Sequence, residues 1–312
     1  MKVFVTGATG QLGHDVVYEL YNRGHEVIAS DIKNNISILY DYINDDICDY
    51  MQMDICNKKS VESILNDVKP DVVIHCAAWT KVDAAEDESN IEMVKDINAN
   101  GTRYIAEVCN ELNCKMVYIS TDYVFDGTQE GPYHPDCKDF NPLSIYGVTK
   151  LDGEFAVCQL EKFFIIRISW VFGKNGNNFV KSILKLGAKN KQLQIIDDQI
   201  GLPTYTYDLA KLIVDMIHSD KYGFYHATNE GEYISWYEFA KEILKQSCEA
   251  GAIGYHEDIL EVTPISSADY TKLKAPRPLN SRLDTSKLKE NGFIPLPHWK
   301  NALSRYLKEI NL

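Results

Sequence analysis

The 312-residue chain contains no apolar run of the roughly 20 residues a membrane-spanning helix needs, so no partner role for a membrane is expected. It also lacks any Lys/Arg cluster. Asp and Glu outnumber Lys and Arg by 45 to 32, a formal net charge of −13, and the acidic residues are scattered rather than bunched. That balance argues against nucleic acid as a ligand and leaves the fold open. There is no C-x-x-C pair and no Cys/His grouping at zinc spacing, although cysteine itself is present at positions 48, 56, 76, 109, 114, 137, 158 and 248. The N-terminus runs straight into a strand pattern, so no signal peptide is expected, and the thiols read as reduced ones in a cytoplasmic protein. Cys76 and Cys158 lie in apolar surroundings and are expected in the core. No internal repeat and no low-complexity segment interrupts the chain.

What is present is an alternation. Strand patterns fall at 2–6, 26–30, 50–54, 71–77, 115–120 and 163–169, and helical patterns lie between them at about 11–22, 58–67, 89–112 and 145–160. Such alternation with short connections predicts an α/β fold, a Rossmann-type doubly wound parallel sheet covered on both faces. Residues 1–172 are expected to form a dinucleotide-binding domain, with about 200–225 returning to it. About 173–199 and 226–312 are expected to form a smaller C-terminal lobe for substrate. The loop 126–143 is rich in Gly, Pro and Asp without periodicity, the composition of a functional or mobile loop.

The first strand runs into Gly7-Ala8-Thr9-Gly10-Gln11-Leu12-Gly13, and Val16, Val17 and Leu20 then recur at helical spacing. Strand, glycine turn and helix make a cradle for a dinucleotide, because glycine lets the backbone approach a pyrophosphate and the helix N-terminus offers amides and a positive dipole end. The spacing is G-x-x-G-x-x-G. The second strand ends at Asp31, about twenty positions on, where an acidic residue bonds ribose hydroxyls and repels a 2′-phosphate. That favours NADH, while Lys33 softens the preference; a simple loop Asp is the alternative.

Tyr146 and Lys150 stand four residues apart, which places both on one face of a helix. An ammonium beside a phenol favours the phenolate and lowers the phenol pKa, and such a tyrosine can exchange a proton with a carbonyl or alcohol oxygen. Thr121 ends the strand 115–120, at the carboxyl edge where open α/β sheets bind ligands. It would hydrogen-bond a substrate carbonyl beside Tyr146 or cap the next turn.

More specific are Ser120-Thr121-Asp122-Tyr123-Val124-Phe125-Asp126-Gly127, the segment Arg167 to Gly173 around Trp170, and Arg277-Pro278-Leu279-Asn280-Ser281-Arg282-Leu283. With the glycine turn, Asp71 to Asp83, Asn98 and Asn141 to Ser144, they run nearly end to end. On these residues the chain resembles the dTDP-4-dehydrorhamnose reductase family of the extended short-chain dehydrogenase/reductase superfamily. The resemblance implies hydride transfer from NADH or NADPH to carbon 4 of a nucleotide-linked 4-keto-6-deoxy sugar. Tyr146 would protonate the alkoxide, Lys150 would tune Tyr146 and bind the nicotinamide ribose, and Thr121 would polarise the ketone.

It also places Asp122, Tyr123 and Trp170 in the sugar pocket, Gln11 and Leu12 beside the pyrophosphate, Asp54 and Ile55 around the adenine, and Ala77, Ala78 and Thr80 along the path to the nicotinamide. Asn98 would bond backbone near the site. Arg277 would contact the diphosphate or make a salt bridge between lobes.

One departure stands out. Some relatives dimerise through magnesium held by glutamates, the first early in the first helix. Asp15 stands there in this chain and no other acidic ligand is matched, so no metal ligand is assigned and monomer or homodimer stays open; Asp15 would simply complement the helix N-terminus. Dehydratases of the superfamily place Asp-Glu after the active-site Thr, whereas Asp122-Tyr123 follows it here, which argues against dehydration. The alternatives are another nucleotide-sugar reductase or an epimerase, and a non-catalytic regulatory subunit resembling the methionine adenosyltransferase β subunit.

Overall fold

The computed structural model describes residues 1–34, 48–251, 261–271 and 273–311; residues 252–260, 272 and 312 of the expected C-terminal lobe lie outside them. Seven strands build the central sheet: β1 (Lys2–Thr6), β2 (Glu26–Asp31), β3 (Asp49–Gln52), β4 (Val72–His75), β5 (Lys115–Thr121), β6 (Phe163–Ile168) and β7 (Gly223–His226). Their order is β7-β6-β5-β4-β1-β2-β3 and every pairing is parallel. The order reverses beside β1, which pairs with β2 on one side and β4 on the other. Ligands of open α/β sheets bind at such a switch point, beyond the carboxyl ends of the strands.

Helices cover both faces, as a buried parallel sheet requires. The α1 helix (Gln11–Asn22) and α6 (Thr206–Ile217) set Val16, Val17, Leu20, Leu209 and Ile213 against Val3, Val5 and Ile74. On the other face α2 (Lys58–Val68), α3 (Thr102–Leu112) and α4 (Ile145–Val157) set Val61, Leu65, Ile105, Val108 and Val157 against Phe4, Val73 and Met116. A third core gathers Phe172, Val180, Phe239, Trp299 and Tyr306 from α5 (Phe179–Gly187), α7 (Trp236–Glu249), α8 (Trp299–Glu309) and short strand pairs around them. A capping box, Ser235 with Glu238, starts α7.

The expected strands 71–77 and 163–169 end sooner, at His75 and Ile168, because the residues beyond them leave the ladder to line a cleft. The expected third strand, 50–54, ends at Gln52 for the same reason, with Met53, Asp54 and Ile55 on the cleft wall. The expected helix over 89–112 is broken. It runs as Ile91–Lys95, a π-turn Asp96–Gly101, and then α3. Gly101 lies against Ile55, where a β-carbon would come within 3.0 Å of its side chain, and the widened turn presents Asn98 inward. Cys76 and Cys158 are only partly buried; Cys109 and Cys114 are the fully buried thiols. No helix among the described residues is long and apolar enough to cross a membrane.

Candidate active site

A cleft of about 780 Å³ opens along the carboxyl edge of the sheet. Gly7 turns out of β1 with φ +65°, and a β-carbon there would lie 2.6 Å from the Ala77 amide nitrogen. The turn therefore packs against the chain leaving β4 only because residue 7 is glycine. Gly10 is the N-cap of α1 and sets no side-chain oxygen over the first-turn amides. That donor set, open amides at a helix N-terminus, suits a pyrophosphate. Gln11 and Leu12 line the cleft. Gly13 does not. It lies behind the turn, where a β-carbon would be 2.2 Å from the Gly7 carbonyl oxygen, so its role is close packing of α1 on the turn rather than ligand contact.

Asp31 lines the cleft at the end of β2, with Oδ2 accepting from the Thr9 amide at 3.1 Å and the Thr9 hydroxyl at 2.7 Å. It thus holds the glycine turn while lining the cleft. Lys33 stands on the same rim. Asp54 and Ile55 follow β3, and Ala77, Ala78 and Thr80 follow β4, all on the cleft wall. Asn98 bridges this wall to α4: it accepts from the Trp79 amide at 2.8 Å and donates to the Thr149 hydroxyl at 3.2 Å. His75, under the floor between Thr6 and Thr102, is kept neutral, burial pushing it down to about 3.

Tyr146, Lys150 and Thr121 meet in the middle of the cleft. Ser144 caps α4 by accepting from the Gly147 amide at 3.1 Å. Gly147 lets the first turn of α4 lie on the turn Asp122–Val124 that follows β5, since a β-carbon there would be 2.3 Å from the Tyr123 carbonyl oxygen. The Tyr146 phenol consequently stands beside the Thr121 hydroxyl. Burial lifts that phenol above its ordinary range, the Thr121 hydroxyl lowers it and Asp122 raises it. The expected depression by Lys150 is thereby corrected. The Lys150 ammonium donates to the Ile119 carbonyl at 2.7 Å and lies 4.1 Å from the centre of the Tyr118 ring. Burial pulls Lys150 itself down to about 7, with Glu154 opposing that pull.

Beneath these groups sits an ion pair with both side chains 1% exposed, Glu154 of α4 with Arg167 of β6. The guanidinium donates to both carboxylate oxygens at 2.8 Å, and Ser120 donates to the same Oε1 at 2.5 Å. Arg167 also donates to the Pro135 carbonyl at 3.0 Å, pinning the loop 126–143, and is flanked by Phe125, Phe140 and Phe224.

Asp122, Tyr123 and Trp170 line the cleft. Burial pushes Asp122 up to about 6 and raises Tyr123 as well. Trp170 holds φ +51°, a left-handed backbone that bulky residues rarely adopt, and its ring stacks on Trp236 with centroids 3.8 Å apart. Arg277 is not among the residues lining this cleft. Its guanidinium pairs with Asp83, at 2.8 and 3.2 Å, and interacts with Tyr123. The pair is the salt bridge expected as one of the two alternatives for Arg277. Asp15 sits beyond the first turn of α1, 3.2 Å from His14 Nδ1, so it does not complement the helix end. Lys81, Gly176 and Asn177 line the cleft unforeseen; the Gly-Lys-Asn-Gly-Asn-Asn run after Phe172 was the available turn signal.

A family model described as RmlD substrate binding domain matches residues 1–312. The dTDP-4-dehydrorhamnose reductase of Aggregatibacter actinomycetemcomitans is 37% identical over 97% of this chain and 97% of its own. The spore coat polysaccharide biosynthesis protein SpsK of Bacillus subtilis is 38% identical over 99% of this chain and 97% of its own. The solved structure of dTDP-4-dehydrorhamnose reductase from Bacillus anthracis in complex with NADP matches with TM-score 0.81 at 35% identity, covering 99% of each chain.

Proposed function

Because the chain belongs to the dTDP-4-dehydrorhamnose reductase family, we propose that it reduces the 4-keto group of dTDP-4-dehydro-L-rhamnose to give dTDP-L-rhamnose, in nucleotide-sugar supply for cell-surface polysaccharide. The observation that carries the reading is the meeting of Tyr146, Thr121 and Lys150 in a cleft whose other end is a glycine turn and an acidic β2 terminus.

Bound along that turn, a reduced nicotinamide supplies the hydride; NADP in the Bacillus anthracis relative supports NADPH, and Asp31 supports NADH. Thr121 and Tyr146 hold the ketone oxygen between two hydroxyls. Tyr146 then gives its proton to the oxygen that becomes the C4 hydroxyl. Lys150 holds a positive charge at the cofactor end of α4. Trp170 offers an apolar face to the sugar ring, with Asp122 and Tyr123 beside it. A reductase that draws on a nucleotide sugar and NADH or NADPH fits a cytoplasmic location.

The test is oxidation of NADH and NADPH by the purified protein with dTDP-4-dehydro-L-rhamnose, with the sugar product identified. Sugar-dependent oxidation yielding dTDP-L-rhamnose is expected. No oxidation with any dTDP- or UDP-linked 4-keto sugar would leave the regulatory-subunit reading in its place.

A further inference from the structure

Asp122 is a buried carboxyl that sugar binding alone does not explain. It is 3% exposed, and its Oδ2 is shut away from solvent with no hydrogen-bond partner in good geometry. Leaving an ionised oxygen unpaired in such a place is costly, and the cost falls when the carboxyl carries a proton. What surrounds it agrees. Burial dominates and lifts the group to about 6; the Ser281 and Thr121 hydroxyls only partly oppose it. The titratable groups facing it are the Tyr123 phenol from its own turn and the Tyr146 phenol from α4.

The second observation is connectivity. Thr121 Oγ lies 3.0 Å from Asp122 Oδ1, and the Tyr146 phenol is its neighbour in the cleft. The Tyr123 amide donates to Thr121 Oγ at 3.3 Å and fixes its rotamer. Three exchangeable protons therefore stand in a line from a buried acid to the phenol that meets substrate.

We propose that Asp122 and Thr121 form a proton relay that reloads Tyr146 during turnover. The inference rests on the reductase reading above. The ketone carbon gains a hydride from the reduced cofactor and its oxygen takes the Tyr146 proton. The phenolate takes the Thr121 proton, and Thr121 takes the Asp122 proton. One O–H bond breaks and one forms at each of the two hydroxyls. The negative charge ends as a carboxylate on Asp122, which regains a proton from water entering the emptied cleft. Asp122 acts through Thr121 and is in this sense a positioning and relay group.

The test compares wild type with Asp122→Asn, a near-isosteric change that cannot pass a proton. The relay predicts that kcat falls by about a hundredfold, the low end for losing an acid–base group, while KM for the nucleotide sugar stays within about threefold. It also predicts that Asp122→Asn causes little further loss in a Thr121→Val background, because the line is already cut. In the free protein, infrared difference spectra between pH 5 and 8 should show a buried carboxyl band that titrates and is missing from Asp122→Asn. A raised KM with unchanged kcat would reduce Asp122 to a sugar contact and overturn the relay, and so would the absence of that carboxyl band. If wild type shows no sugar-dependent oxidation at all, the reductase reading fails instead, while the infrared readout on the free protein still decides whether Asp122 holds a proton.

Discussion

Replacing Glu154 by Gln keeps the side-chain shape and removes one charge of a pair in which both members are 1% exposed. Arg167 stays ionised and loses the carboxylate that answers both of its 2.8 Å bonds. Removing one partner of a fully buried pair costs about 3–5 kcal/mol, because the surviving charge has no water to return to. At roughly 2 °C per kcal/mol for a chain of this size, the melting temperature should drop by about 6–10 °C. Ser120→Ala deletes only a neutral donor to the same carboxylate and should cost on the order of 1 kcal/mol. The double change Glu154→Leu with Arg167→Met removes both charges and should recover much of the lost stability. A second readout separates electrostatics from packing. Glu154 holds the Lys150 ammonium up against the burial that brings it to about 7. In Glu154→Gln the alkaline fall of kcat/KM should therefore begin at lower pH than in wild type, and the double variant should not restore it. Thermal melts and pH profiles on the three variants suffice. A Glu154→Gln melting temperature within a degree of wild type would refute the buried pair as placed.

Tyr146→Phe should bind cofactor normally and lose about a hundredfold or more in kcat, read by steady-state kinetics beside a cofactor titration. Asp31→Ala should weaken NADH relative to NADPH only modestly, since Lys33 shares the rim and Asp31 also ties down Thr9; an unchanged ratio of dissociation constants would remove Asp31 from the ribose site. Trp170→Ala should raise KM for the nucleotide sugar with NADH affinity within a fewfold, and it should also lower the melting temperature somewhat because the stack on Trp236 is lost. Unaltered kinetics in that variant would assign Trp170 to the core alone. For Lys150, activity should fall as pH rises through about 7, where the ammonium discharges. The stability effect has the opposite sign: the folded value lies below the ordinary lysine value of 10.5, so the unfolded chain holds the extra proton between the two, and the cost of burying the ammonium fades as pH rises across that window.

The parts of the site that are legible in the sequence are those set by local spacing. Strand, glycine turn and helix are contiguous, and Tyr146 and Lys150 share a face by helical geometry alone. The strand-end position of Thr121 and Asp31 follows from the same strand patterns. The rest depends on residues distant in sequence. Arg277 meets Asp83 across 194 positions, and nothing near Arg277 announces an acidic partner rather than a phosphate. The Tyr146 phenol rises instead of falling because burial in the assembled cleft outweighs the Thr121 hydroxyl, and Lys150 donates to the Ile119 carbonyl. The π-turn at Asp96–Gly101 ends at Gly101, packed against Ile55, a contact that helical periodicity over 89–112 does not contain.

The central claim is hydride delivery to carbon 4 of a dTDP-linked 4-keto sugar. The most direct measurement is a single turnover with reduced cofactor carrying deuterium at the nicotinamide C4, followed by NMR of the sugar product. Deuterium at C4 of dTDP-L-rhamnose, on one face only, is the result predicted. Product without label, label at any other carbon, or cofactor that stays reduced with substrate bound would contradict it.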